Sequence, residues 1–215
     1  MTQKYEAVLF DLLTALLDSW SVWNQAAGSI EAGRKWRAEY LRLTYGCGAY
    51  QPYEELVAQA AENLGLSRSL AADLEQRWGT LDPWTSVITT LTSLKRTHRI
   101  GVVTNCSERL GQIAADRVSV PFDVIVTSER AGFYKPHPRP YQLALDELGL
   151  PPERVLFVAG SGYDLFGTSK TGMDTFWHNR VKLPAPEGAP PPMAESSNIS
   201  DVLRIAATSQ SGGAK

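Results

Sequence analysis

Residues 5–11, YEAVLFD, are a short apolar run closed by a carboxylate. No polar residue interrupts positions 7–10, and Tyr5, Val8 and Phe10 favour extended backbone. A run of this length without polar alternation reads as a strand buried on both faces, the pattern of a parallel sheet. It ends on Asp11.

Working outward, four later stretches have the same character: 100–104, 122–127, 155–159 and 175–178. Helical patterns separate them. Residues 84–97 read as a helix. Ser107 caps another that carries Leu110, Ile113, Ala114 and Val118. Pro140 opens a helix that Gly149 ends, and 163–171 form a short one. Strand and helix in alternation predict an α/β fold, a doubly wound parallel sheet with helices on both faces. Residues 184–192, PAPEGAPPP, read as a loop, 199–207 as a last helix, and 209–215 as a frayed end.

Between the first strand and residue 84 no strand pattern occurs. Residues 30–46 place Trp36, Tyr40 and Leu43 at helical spacing, 53–65 form a second helix closed by Gly65, and Ser67 caps a third. The expected organisation is an α/β core from 1–15 and 85–215, with a helical insertion at 16–84.

Composition narrows the function classes. The chain has 215 residues, 43% hydrophobic and 20% charged, with a formal net charge of -2. That balance argues against nucleic acid as a partner. No run is long enough for a membrane span, and no signal-peptide pattern opens the sequence, so a cytoplasmic location is expected. Cys47 and Cys106 lack zinc-ligand spacing and read as two reduced thiols.

In sheets of this kind ligands bind beyond the carboxyl ends of the strands. Four polar clusters fall there: Asp11; Thr104 with Asn105; Lys135; and Ser161 with Asp164. Each has a bland reading as a turn, cap or solvated surface residue. Together they form a chemical kit. Asp11 can attack as a nucleophile kept ionised by Lys135. Thr104 and Asn105 can donate to an anionic substrate, and Asp164 can orient or activate water.

With these stretches quoted in order, a resemblance emerges. FDLLTALLD (10–18), VVTNCS (102–107), YKPHPRPY (134–141) and VLFVAGSGYD (155–164) resemble the four motifs of the haloacid dehalogenase (HAD) superfamily. The resemblance implies a Rossmann-like core, with 16–84 standing where that superfamily inserts a cap.

Magnesium-dependent phosphatases of the superfamily carry a second Asp two residues after the nucleophile and an acidic metal ligand in the fourth motif. Leu13 and Gly160 occupy those places here. No metal ligand set is therefore expected, and magnesium is disfavoured. The 2-haloacid dehalogenase branch needs neither residue, and Trp36-Arg37, the Lys135 to Tyr141 spacing and FWHNR (176–180) resemble it further. This implies displacement at an sp³ carbon of a small 2-substituted carboxylic acid through an aspartyl ester. Asp11, Lys135, Asp164 and Arg37 are the expected catalytic residues. Thr104, Asn105, Ser161, Leu13, Trp20 and Tyr141 are the expected substrate contacts, with Trp20 or Trp23 walling the pocket. Thr14-Ala15 stands where the branch has Gly-Thr, so a hydroxyl one residue early is not expected to serve Asp11. Alternatives are an atypical phosphatase, a hydrolase opening azetidine-2-carboxylate, and a non-catalytic binding member. A homodimer is compatible with the aromatic-rich insertion.

Overall fold

The computed structural model describes residues 4–207; the frayed end expected at 209–215 lies outside them. Strands are β1 (Ala7–Phe10), β2 (Arg99–Thr104), β3 (Val124–Thr127), β4 (Val155–Ala159), β5 (Asp174–His178) and β6 (Ala194–Ser196). Helices are α1 (Ser19–Ala26), α2 (Ile30–Gly46), α3 (Tyr53–Asn63), α4 (Ser69–Gln76), α5 (Val87–Leu94), α6 (Glu108–Arg117), α7 (Ser128–Ala131), α8 (Pro138–Leu148), α9 (Asp164–Thr171) and α10 (Asp201–Ala206).

The six strands form one parallel sheet in the order β3-β2-β1-β4-β5-β6. β1 is central, and Phe10 sits opposite both Val102 and Val158. Successive side chains alternate faces. Val8 and Phe10 join one core with Ile100, Val102 and Phe176, whereas Ala7 and Leu9 join the other with Val103, Val126 and Phe157. Both faces are covered, which is why the strands read as unbroken apolar runs. The chain runs β1 to β2 to β3 on one side and then returns to place β4 on the other. This reversal opens a crevice at the carboxyl ends of β1 and β4.

Five helices lie between β1 and β2, and the first four, α1 to α4, make up a segment of their own. The segment leaves and rejoins the core at one neck, where Leu17 pairs antiparallel with Pro83 and Trp84 N donates to Leu16 O at 2.9 Å. Inside it, Trp23 and Trp36 meet edge to face at 4.8 Å, and Trp36 Nε1 donates to Val57 O at 2.9 Å. Trp78 Nε1 donates to Leu110 O at 2.9 Å, fixing the segment to α6. Gly33 is needed where α1 crosses α2, since a Cβ there would lie 2.4 Å from Asn24 Oδ1 and 2.7 Å from its Cα.

Several local expectations need correction. Ser107 precedes α6 but makes no cap bond; its hydroxyl donates to Glu54 Oε1 at 2.7 Å instead. The third helix of the insertion starts at Ser69, because Ser67 Oγ accepts from Ser69 N in a local turn. α8 opens two residues early at Pro138, with His137 Nδ1 accepting from Arg139 N at 3.2 Å. β6 follows the Pro-rich loop and escaped the sequence reading because three partly polar edge residues carry no apolar run. Cys47 and Cys106 are free thiols. No described helix is long and apolar enough to cross a membrane.

Candidate active site

The crevice begins with the turn after β1. Asp11 N donates to Val158 O at 2.9 Å, extending the sheet pairing by one residue. Leu12–Leu16 then form a single π-helical turn with Asp11 as its cap. Asp11 Oδ2 accepts from Thr14 N at 2.8 Å, from Ala15 N at 3.2 Å, and from the Thr14 hydroxyl. The cap reading and the functional reading therefore both hold for this residue, because capping occupies one oxygen. Contrary to expectation, Thr14 does serve Asp11: the wide turn swings its hydroxyl onto the carboxylate.

The other oxygen, Oδ1, faces Lys135 Nζ at 2.8 Å. The same ammonium lies 2.9 Å from Asp164 Oδ1, which also accepts from Tyr141 OH at 2.7 Å. Asp11, Lys135 and Asp164 are 6%, 4% and 4% exposed. Burial pushes the Asp11 carboxyl up, but the charge and hydrogen bond of Lys135, with those of Thr14, outweigh it and hold the group low. Burial raises Asp164, and the like charge of Asp11 adds to that against the pull of Lys135. Burial alone would lower Lys135, yet the two carboxylates keep it above its ordinary value. One carboxylate is thus held ionised while its neighbour is biased toward holding a proton.

Helices of the insertion form the opposite wall. Arg37 is 9% exposed, and its guanidinium stacks on the Trp20 ring with Cζ 3.8 Å from the centroid. Burial lowers its basicity and the Asp11 charge opposes that; an arginine remains charged regardless. The cavity is small, about 50 Å³.

The structure brings Asp11, Leu13, Arg37, Asn105, Lys135, Ser161 and Asp164 to this cavity. Three expected contacts stand behind it. Thr104 is fully buried, and its hydroxyl accepts from the Cys106 thiol at 3.8 Å. Trp20 supports Arg37, leaving Trp23 on the wall. Tyr141 supports Asp164. Asn105 reaches the cavity, but its amide clamps the lysine loop: Oδ1 accepts from Lys135 N and Ser128 Oγ at 2.8 Å each, and Nδ2 donates to Lys135 O at 3.0 Å. Sequence reasoning missed Ser19, Tyr45 and Tyr163. Tyr45 was within reach of it, since Arg37, Leu41 and Tyr45 are four apart on α2 and all face the cavity. Burial pushes the Cys106 thiol up to about 12, which removes it as a nucleophile.

A magnesium ion does not fit these residues. It needs several open oxygen ligands, whereas both Asp11 oxygens are engaged by Lys135, Thr14 and Ala15. Gly160 offers no ligand, and a Cβ there would lie 2.2 Å from both Ala15 N and Thr14 Oγ1.

Comparison with known proteins gives the family. The family model described as haloacid dehalogenase-like hydrolase matches residues 8–178. The chain belongs to that family. Haloacetate dehalogenase H-2 of Moraxella sp. (strain B) is 28% identical over 195 residues, 83% of this chain and 87% of that protein. The (S)-2-haloacid dehalogenase of Xanthobacter autotrophicus is 28% identical over 186 residues, 78% and 72% of the two chains. The crystal structure of the L-2-haloacid dehalogenase RSc1362 has a TM-score of 0.84 at 26% identity, covering 94% of this chain and 99% of that one. Among haloacid dehalogenase-like hydrolases this chain gathers Asp11, Lys135 and Asp164 at the carboxyl ends of its strands, with Thr14 and Gly160 packed into the turn after β1.

Proposed function

We propose that this hydrolase displaces the leaving group of a small 2-halo carboxylic acid, without a metal, through an ester on Asp11. The observation that carries the reading is Lys135 Nζ, held 2.8 Å from Asp11 and 2.9 Å from Asp164. One ammonium here does the charge-balancing that a cation does in a phosphatase, and Leu13 and Gly160 provide neither proton donor nor ligand for that alternative.

Asp11 Oδ1 attacks the α-carbon; the new C–O bond forms as the carbon–halogen bond breaks, and the halide leaves with the electron pair. Arg37 supplies positive charge on the facing wall. Water then adds to Asp11 Cγ while Asp164 takes its proton. The negative charge of the tetrahedral adduct develops on Oδ2, where the N–H groups of Thr14 and Ala15 and the Thr14 hydroxyl already point. Collapse breaks the bond from Asp11 Cγ to the ester oxygen, which takes the proton from Asp164 to give a 2-hydroxy acid, and the carboxyl left on Asp11 gives up its remaining proton to solvent to restore the carboxylate. Helices α1 to α4 act as the cap that closes the site.

Incubation with 2-chloropropionate tests this. Chloride release that survives chelator and vanishes in Asp11→Asn is expected. Phosphate release from a generic ester that requires magnesium would contradict it.

A further inference from the structure

The turn that carries the nucleophile is also held from behind. The last carbonyls of a helical turn have no partner within it. In this turn each of them accepts from a distant part of the chain. Trp84 Nε1 donates to Thr14 O at 3.0 Å, and Trp84 N donates to Leu16 O at 2.9 Å. Between them, His178 Nδ1 at the end of β5 donates to Ala15 O at 2.8 Å. Trp84 stands at the neck, next to the Pro83 that pairs with Leu17. Its ring packs on the core, and Arg180 Cζ lies 5.6 Å from its centroid, so the direction of the indole N–H is fixed.

The Trp84 indole bond bears on the chemistry because of the amide it reaches. Thr14 O and Ala15 N belong to one peptide unit. The carbonyl of that unit accepts from Trp84, and its N–H donates to Asp11 Oδ2 at 3.2 Å. The two hydrogen bonds are therefore coupled through one conjugated, planar amide. A donor on the oxygen draws electron density from the nitrogen and strengthens the N–H as a donor, by about 10–30% per bond. Ala15 N makes the longer of the two amide contacts on Oδ2, 3.2 Å against 2.8 Å for Thr14 N, and has the more to gain. His178 grips the next amide, whose N–H belongs to Leu16. It steadies the turn without acting on a donor to Asp11.

We infer that Trp84 is a positioning residue for the nucleophile: its indole N–H polarises the Thr14–Ala15 amide and aims the Ala15 N–H at Asp11 Oδ2. The inference rests on the ester mechanism above, and it gives the two steps different responses. As the C–O bond forms, Asp11 loses negative charge, so a weaker donor at Oδ2 does not slow attack. When water adds to the ester, charge returns to Oδ2, and a weaker donor slows that step.

Two variants test this in the full chain. Trp84→Phe removes the N–H and keeps an aromatic ring at the neck. Replacement of Trp84 by benzothienylalanine, with sulfur in place of the N–H, keeps the whole outline of the indole and separates the bond from the packing. Rapid-quench single turnovers of 2-chloropropionate follow chloride release and, by the mass of the intact protein, the ester on Asp11. Both variants should release the first chloride at the wild-type rate or faster. Both should hydrolyse the ester about two- to fivefold more slowly, the share of an oxyanion donor that polarisation supplies. A second readout needs no substrate: the amide nitrogen resonance of Ala15 should move upfield while that of Thr14 stays in place. Equal slowing of both steps, ester hydrolysis at the wild-type rate, or an unmoved Ala15 resonance overturns the inference. A wild type that releases no halide sinks the displacement reading instead. The Ala15 resonance then decides the coupled bonds alone, a shift upholding them and no shift overturning them.

Discussion

The two walls of the cavity are built on opposite principles. The sheet side is bonded within itself: Lys135 bridges Asp11 and Asp164, and Tyr141 and Asn105 fix them from behind. The helical side is unfinished: Ser19 Oγ and Arg37 Nη1 lack acceptors, and the rest of it is largely aromatic. The difference teaches where chemistry and recognition reside. Groups that must not reorganise during bond making are preorganised by each other. Groups that meet the substrate keep open valences for it.

Removing one charge from each wall should break that contrast if it is wrong. Lys135→Met leaves two buried carboxylates without their cation, and loss of one partner from a buried pair costs about 3–5 kcal/mol. Chemical denaturation at neutral pH would read this. The deficit should shrink on acidification. Without the ammonium, burial raises both carboxyls above their unfolded values, the folded state then binds more protons than the unfolded one, and stability rises as pH falls.

Asp164 predicts the next effect, on activity. As a base it works only when ionised, and its carboxyl is raised while that of Asp11 is lowered. Turnover should therefore fall as pH drops through the Asp164 value, above the usual carboxylate range, with Asp11 still ionised there. Asp164→Asn should lose that limb and about 10²–10⁴-fold of kcat. An acid limb unchanged in the variant would assign the proton elsewhere.

Arg37→Met sharpens the comparison with the smallest effect. It removes a buried cation that lacks a partner and also the stack on Trp20, so stability should change by less than about 1 kcal/mol. A loss comparable with Lys135→Met would mean that the helical wall is held together by this charge, and the contrast would fail.

How much of this was legible depended on how local the signal was. Asp11 stands where an apolar run breaks, and a charge at the end of a buried strand is visible in one dimension; Asp164 and Lys135 follow later runs after short connections, α7 among them. The parallel sheet followed from the same runs. Thr14 was misjudged because residue counting presumes an ordinary turn, and the π turn changes which hydroxyl reaches the carboxylate. Asn105 and Thr104 look alike as polar residues after a strand. Their fates differ because one side chain meets the backbone of Lys135, from a segment thirty residues away, and the other turns into the core. Ser19 could not be singled out, since a serine at a helix start ordinarily caps it. Only three-dimensional bookkeeping shows that Asp18 has taken that task.

The central claim is that Asp11 itself, and not water, attacks the substrate carbon. A single turnover of 2-chloropropionate with enzyme in excess in heavy-oxygen water, followed by mass spectrometry of the peptide containing Asp11, tests it most directly. One heavy oxygen is expected in that peptide and none in the first molecule of product, whose hydroxyl comes from Asp11. Heavy oxygen in the product with an unlabelled Asp11 would mean direct attack by water and would contradict it.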